Sequence, residues 1–240
     1  MKKVFALILT LAMVLSFAAC APKFDPAAKS EGVMTYAEYM AAELNATVVI
    51  EAYVQATQSW WDDKITVYAQ DPDGAYFLYE MTCSEENAAK LVPGTKIKVT
   101  GVKTEWAGEV ELKSGATFEI MEGTWKATAE DLTAVLGTAD LIKHQNKLAA
   151  FKGLTIESIS YKNGEPGDDI YVDLSLNGKT FSFCVERYLT DPETEVYKAF
   201  ETLKAGDKVD VECFLYWYAP ENTVVEDGEN PHITAIKKVG

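Results

Sequence analysis

The chain has very few of the side chains on which phosphate recognition and acid–base catalysis usually depend. Its 240 residues include one arginine, Arg187, and two histidines, His144 and His232. Arginine supplies paired hydrogen bonds to phosphate, and histidine supplies proton transfer and metal ligation near neutral pH. Asp and Glu outnumber Lys and Arg by 37 to 22, for a net charge of −15. Since cationic side chains drive binding to nucleic acid, the composition predicts that a nucleic-acid partner is unlikely.

Motifs for catalysis and for cofactor binding are also missing from the sequence. It contains no GxSxG elbow, no Walker loop and no GxGxxG fingerprint. Asp71-Pro72-Asp73-Gly74 resembles the start of a calcium-binding loop, but the later ligand positions are absent and a tight turn accounts for it. The other carboxylates are scattered along the chain. We therefore expect a protein that is not an enzyme and that has no cofactor and no metal site.

Cysteine is too sparse to predict a disulfide framework. Apart from Cys20, the chain contains Cys83, Cys184 and Cys213. Their odd number and wide spacing provide neither a CxxC motif nor an obvious pairing. Two interpretations remain open: three small apolar side chains, or one bridge and one free thiol.

The N-terminus has the pattern of an export signal. Lys2 and Lys3 precede an apolar run over 4–19, which is short for a transmembrane helix and typical of a signal peptide. The run ends in Ala18-Ala19-Cys20, which resembles the cleavage and lipidation site of bacterial lipoproteins. We interpret 1–19 as a signal peptide, Cys20 as a lipidated membrane anchor and 20–33 as a tether, which gives an extracytoplasmic location. An ordinary secretory signal is the alternative.

Strand and helix signals occur in the same order twice. Each half reads as three strands, a short helix and further strands. Leu91–Val99 matches Leu203–Val211 in the pattern LxxGxKxxV, with Ile or Val at the seventh position. An element order that repeats in this way indicates tandem domains. We predict one domain over 34–122, a second over 147–240 and a partly helical connector over 123–146.

Five strands with a helix after the third are typical of the OB-fold, a five-stranded Greek-key barrel. The chain resembles bacterial surface lipoproteins with tandem OB-fold domains, as found in Gram-positive gut anaerobes. Ser59–Asp62, Asp73–Phe77 and Leu91–Ile97 carry the resemblance, which extends over nearly all of 34–239. It implies a mainly β fold with short helices, two OB-fold domains and a location at the cell envelope. It implies no particular activity.

The second-half hairpin has a strong turn signal. Asn177-Gly178 predicts a two-residue loop that pairs Leu176 with Lys179. This register places apolar residues on the core face and places Tyr171 and Cys184 on the outer face. Cys213, in contrast, should point inward.

The first-half hairpin is predicted to have a three-residue loop. The turn at Asp71–Gly74 would then pair Ala69 with Phe77 and direct both side chains into the core. Tyr68, Tyr76 and Leu78 would lie on the outer face.

Aromatic residues next to that face indicate a binding site. OB-folds bind ligands on strands two and three, between two flanking loops, and those loops here contain three tryptophans. The predicted ligand-binding residues are Trp60, Trp61, Tyr68, Tyr76 and Trp106. A second candidate loop contains Tyr216, Trp217 and Tyr218. Alternatively, the tryptophans plug the barrel ends, and the second loop pads the domain interface.

Aromatic platforms suit sugar rings and cations. The sequence thus predicts a non-catalytic surface protein that binds a neutral or cationic ligand, a saccharide or a peptide. A structural or protein-partner module at the cell envelope is the alternative.

Overall fold

The computed structural model describes residues 24–239, which form two closed five-stranded barrels in series. The predicted signal peptide and Cys20 lie outside the described residues. No helix within 24–239 combines the length and the apolar composition needed to cross a bilayer. The prediction of a mainly β chain with two tandem OB-fold domains is confirmed.

The first barrel follows helix α1 (Tyr36–Ala41), which begins with a capping box formed by Thr35 and Glu38. The elements of the barrel are β1 (Thr47–Thr57), β2 (Lys64–Gln70), β3 (Ala75–Thr82), α2 (Glu85–Ala88), β4 (Thr95–Trp106) and β5 (Glu109–Leu112). The strands pair in the order β1-β2-β3-β5-β4, and β4 closes the barrel on β1. An additional strand, β6 (Thr117–Thr124), pairs with β4.

The second barrel repeats this order. Its elements are β7 (Glu130–Asp131), a 3-10 helix (Leu141–His144), β8 (Leu148–Tyr161), β9 (Ile170–Leu176), β10 (Lys179–Val185), α3 (Glu195–Ala199), β11 (Lys208–Phe214) and β12 (His232–Val239). The strands pair in the order β8-β9-β10-β12-β11, and β11 closes on β8. In both barrels the third and fifth strands run parallel.

The β9–β10 hairpin has the predicted register. Leu176 pairs with Lys179 and Tyr171 pairs with Cys184, while Asn177 adopts the positive φ of 53° that the turn requires. Cys213 belongs to the second core, as predicted. Cys83, Cys184 and Cys213 are all buried and free.

The β2–β3 hairpin differs from its prediction by one residue. Gln70 pairs with Ala75 and Ala69 pairs with Tyr76, so the loop has four residues rather than three. Tyr76 and Leu78 therefore belong to the first core, whereas Phe77 turns outward with Tyr68. The expected core position of Phe77 and the expected outer positions of Tyr76 and Leu78 were wrong.

The segment predicted as a tether is ordered against the first barrel from residue 24 onward. Lys29 donates hydrogen bonds to the Glu51 carbonyl and to the Asp71 carboxylate, where Asp71 is buried and the Lys29 side chain is 9% exposed. The Phe24 ring contacts Tyr53 edge-on, with 6.3 Å between ring centroids. The composition of 20–33 could not predict that this segment packs on the barrel, because the packing depends on Lys29 binding the distant, buried Asp71.

The connector contacts both barrels. Leu132, Leu136 and Leu141 of the connector pack into the second core. Gln145 bridges to the first barrel, where it accepts a hydrogen bond from the Val110 amide and donates one to the Gly108 carbonyl.

Candidate ligand-binding cleft

A cleft of about 470 Å³ lies between the barrels, next to the parallel junction of the third and fifth strands in each. In the first barrel this junction pairs Phe77 with Glu111. In the second barrel it pairs Cys184 with His232. All four residues line the cleft, so equivalent positions of two similar barrels face each other.

Aromatic rings form much of the cleft wall. They belong to Phe77, Tyr79, Trp106, Tyr171, Tyr216 and Tyr218. Trp106 and Tyr218 come from different barrels and stack with their ring centroids 5.3 Å apart. Tyr216 stacks on the His232 imidazole at 4.4 Å. Because these rings pack against one another, the wall is preorganised for a ligand.

Three carboxyl groups also line the cleft. Asp169 accepts a hydrogen bond of 2.9 Å from the Lys162 ammonium. Glu186 accepts hydrogen bonds from the Tyr188 and Leu189 amides, and burial raises its pKa. Burial also raises the pKa of Glu111 to about 7. Within residues 24–239, neither Glu111 nor Glu186 forms an ion pair, and burial is the largest influence on the pKa of each.

His232 is held as a neutral imidazole at the back of the cleft. Burial lowers the pKa of His232 to about 3. Its Nδ1 lies 2.6 Å from the Tyr68 hydroxyl, which in turn accepts a hydrogen bond from the Gln58 side-chain amide. The imidazole therefore positions neighbouring groups and carries no charge near neutral pH.

Two residues of the predicted platform are not available to a ligand. Tyr76 lies fully inside the first core, where its hydroxyl donates to the Asp71 carboxylate. Tyr68 does point outward, but the second barrel covers it, and its ring stacks on Phe214 at 4.5 Å. The sequence could not reveal that this face of the first barrel meets the second.

The three loop tryptophans separate. Trp106 is 54% exposed and lines the cleft. Trp60 packs against the first core and donates a hydrogen bond of 2.7 Å to the Cys83 carbonyl. Trp61 is 79% exposed and points into a neighbouring groove. The five predicted residues therefore do not converge on one face, since the four-residue β2–β3 loop and the contact between barrels redistribute them.

The second candidate loop supplies both binding and packing residues. Tyr216 and Tyr218 line the cleft, whereas Trp217 is fully buried in the second core. The Trp217 amide also donates to the Glu109 carboxyl of the first barrel. The inclusion of Trp217 as a ligand contact was wrong, because alternation along the chain turns it away from the cleft.

Sequence reasoning missed several cleft residues. They are Gln58, Phe77, Tyr79, Glu111, Asp169, Glu186, Asn230 and His232. Phe77 and Tyr79 would have followed from a four-residue loop, and Tyr171 and Cys184 were placed correctly on the outer face. The remaining positions depend on how the barrels meet. Among residues 24–239, no group of three or more His, Cys, Asp or Glu side chains is arranged to hold a metal ion.

No protein-family model matches the chain, and no curated protein is similar to it. Several solved structures share its shape loosely. A murine DNA-binding protein bound to double-stranded DNA is 12% identical over 80% of this chain and 95% of its own, with a TM-score of 0.36. The Ifi202 HINa domain in complex with double-stranded DNA is 10% identical over 80% and 98%, with a TM-score of 0.35. A replication protein A heterotrimer bound to single-stranded DNA is 10% identical over 79% and 49%, with a TM-score of 0.32.

These structures correct one expectation. The prediction that a nucleic-acid partner is unlikely was wrong as an exclusion, because chains of similar shape are solved with DNA bound. Net charge is a sum over the whole surface, and it does not determine the potential inside one groove. The TM-scores are too low for any positive assignment to rest on these similarities.

Proposed function

We propose that the protein is a non-catalytic binding module whose cleft takes a ligand with an ammonium or guanidinium group, such as the basic side chain of a peptide. The observation that carries this proposal is that Glu111 and Glu186 border the same cleft as the Trp106–Tyr218 stack. Carboxylates and aromatic faces both attract cations. Of the side chains that line this cleft, all within 24–239, none is Lys or Arg.

The shape and the charge of the cleft favour this ligand over the alternatives. A concave site suits a small group, whereas a protein partner usually docks on a flatter patch. A neutral saccharide would stack on Trp106, but it would leave the buried Glu111 carboxylate without a countercharge. A cation would interact favourably with both the aromatic rings and the carboxyl groups of the cleft.

The first test compares Nα-acetyl-lysinamide with its neutral isostere Nα-acetyl-norleucinamide, with binding followed by tryptophan fluorescence and calorimetry. The lysine derivative should bind at least ten times more tightly. Glu111→Gln should weaken its binding roughly tenfold, which corresponds to about 1.4 kcal/mol. Glu119→Gln is the matched control, because Glu119 is an exposed carboxylate of β6 outside the cleft.

The second test removes an aromatic wall. Trp106→Ala should weaken binding of the same lysine derivative roughly tenfold, since a stacking contact is typically worth about 1–3 kcal/mol. The exposed position of Trp106 should keep the fold intact, as checked by circular dichroism. Equal binding of the neutral isostere would overturn the proposal. So would binding of a chitin oligosaccharide or a single-stranded oligonucleotide that Glu111→Gln leaves unchanged.

We also propose that Cys20 carries a lipid and holds the protein at the outer side of the cell membrane. The support is the sequence pattern at Ala18-Ala19-Cys20. Metabolic labelling with a fatty acid should modify the wild-type protein, and Cys20→Ser should abolish the label and release the protein. Labelling that survives Cys20→Ser would contradict the lipid assignment without affecting the cleft.

A further inference from the structure

A second groove of about 500 Å³ adjoins the cleft, and we call it the loop groove. Gln58 and Tyr79 line both the cleft and the loop groove. The far walls of the loop groove are Trp61 of the first barrel and Tyr188 of the second. The two concavities therefore share a border and offer one path from the carboxyl groups to Trp61.

Trp61 is held at the tip of a tight hairpin. It pairs with Lys64 across Asp62 and Asp63, whose φ angles of 48° and 57° are those of a type I′ turn. The neighbouring Trp60 is anchored to the Cys83 carbonyl. Trp61 nevertheless remains 79% exposed. A rigidly placed, exposed tryptophan is a suitable contact for an apolar group, because little conformational entropy is lost on binding.

Tyr188 faces it from the second barrel and is 55% exposed. The Tyr188 carbonyl accepts a hydrogen bond of 2.8 Å from the Ser59 amide, which fixes the two loops relative to each other. The Lys64 and Glu80 side chains of the loop groove form an ion pair of 3.0 Å. The loop groove is thus lined by aromatic rings and by one ion pair. The cleft, in contrast, contains carboxyl groups that have no ion-pair partner within 24–239.

We infer that the ligand is an extended peptide whose basic side chain lies in the cleft and whose neighbouring residues run past Tyr79 into the loop groove. There an apolar side chain packs between Trp61 and Tyr188. The inference rests on the proposed function and specifies its ligand. The carboxyl groups of the cleft support the inference at one end of the peptide, and the aromatic rings of the loop groove support it at the other end. At the junction, the Gln58 amide nitrogen bonds Tyr68, which leaves its carbonyl oxygen to accept a peptide N–H.

The experiment screens acetylated, amidated hexapeptides with one fixed N-terminal lysine and five positions randomised over uncharged residues. The best binder should exceed Nα-acetyl-lysinamide in affinity by tenfold or more and should carry an aromatic or aliphatic residue beyond the lysine. Trp61→Ala and Tyr188→Ala should each remove most of that gain while leaving the affinity for Nα-acetyl-lysinamide unchanged. Ile120→Ala, an exposed apolar residue of β6 away from both concavities, is the control.

The outcomes separate this inference from the proposed function. A hexapeptide that binds no better than Nα-acetyl-lysinamide overturns the inference and leaves the cation site standing. The same holds if the gain survives both Trp61→Ala and Tyr188→Ala. If Glu111→Gln changes neither the short nor the long probe, the cation site itself is wrong and the inference fails with it.

Discussion

The hairpins β2–β3 and β9–β10 occupy equivalent places in the two barrels, but different forces determine their registers. In β9–β10, Asn177 and Gly178 both adopt positive φ and form a two-residue loop. In β2–β3, the four-residue loop closes around the buried Asp71 carboxylate. Asp71 accepts hydrogen bonds from the Asp73 and Gly74 amides and pairs with Lys29.

This difference shows when a turn motif predicts a register. A two-residue loop with left-handed residues allows essentially one geometry, so local chemistry suffices. A longer loop allows several geometries, and here groups distant in sequence select one of them. Lys29 lies 42 residues before Asp71 in the chain. A one-residue change in register then exchanges the two faces of a strand, as it does for Tyr76 and Phe77.

The largest expected effect tests this dependence on buried charge. Asp71→Ala removes the buried partner of the largely desolvated Lys29 ammonium and should lower the free energy of unfolding by about 3–5 kcal/mol. Urea denaturation measures it. Asn177→Ala in the other hairpin loses only a left-handed preference and should cost about 1–2 kcal/mol. Equal costs for the two variants would contradict the contrast between the hairpins.

A glycine in each turn gives a second, smaller comparison. A Cβ at Gly74 would overlap the Tyr36 ring, so Gly74→Ala should cost about 1–3 kcal/mol through overpacking. A Cβ at Gly178 would have no atom within 4 Å apart from its chain neighbours. Only the φ of +81° opposes a side chain there, so Gly178→Ala should cost about 1 kcal/mol. Thermal denaturation should show that Gly74→Ala destabilises the protein less in a Tyr36→Ala background than in the wild type. The destabilisation by Gly178→Ala should be the same in both backgrounds. Identical penalties in both backgrounds would refute the steric account.

The smallest expected effect compares the cleft carboxyls of the two barrels. Asp169 has Lys162 as partner, whereas Glu111, with a pKa raised to about 7, has no ion-pair partner within 24–239. The folded state holds the Glu111 proton more tightly than the unfolded state does. The contribution of Glu111 to stability is therefore lost as pH rises from about 4.5 to about 7.

Glu111→Gln should flatten this part of the pH profile of unfolding by about 1 kcal/mol, after discounting for the water that still reaches the carboxyl group. Affinity for Nα-acetyl-lysinamide should change in the opposite sense and rise with pH through about 7, as Glu111 ionises. Chemical denaturation and calorimetry over pH 5–8 test both. A wild-type profile identical to that of Glu111→Gln would show that Glu111 does not titrate in this range.

The sequence by itself determined the element order, the repeat and the β9–β10 register. These depend on interactions between near neighbours: alternation of apolar residues, the Thr35–Glu38 capping box and the Asn177-Gly178 turn. It also placed Trp106, Tyr216 and Tyr218 in the loops that border the cleft.

Only the tertiary structure decided which aromatic side chains a ligand could reach. Tyr68 points outward in its own barrel, yet Phe214 and His232 of the other barrel cover it. Glu111 and Glu186 lie 75 positions apart in the chain and face one cleft because the barrels meet at equivalent strand junctions. A hydrophobic pattern specifies which face of a strand is apolar. It carries no information on which of two apolar faces packs inside a barrel, which meets a second barrel and which remains open to a ligand.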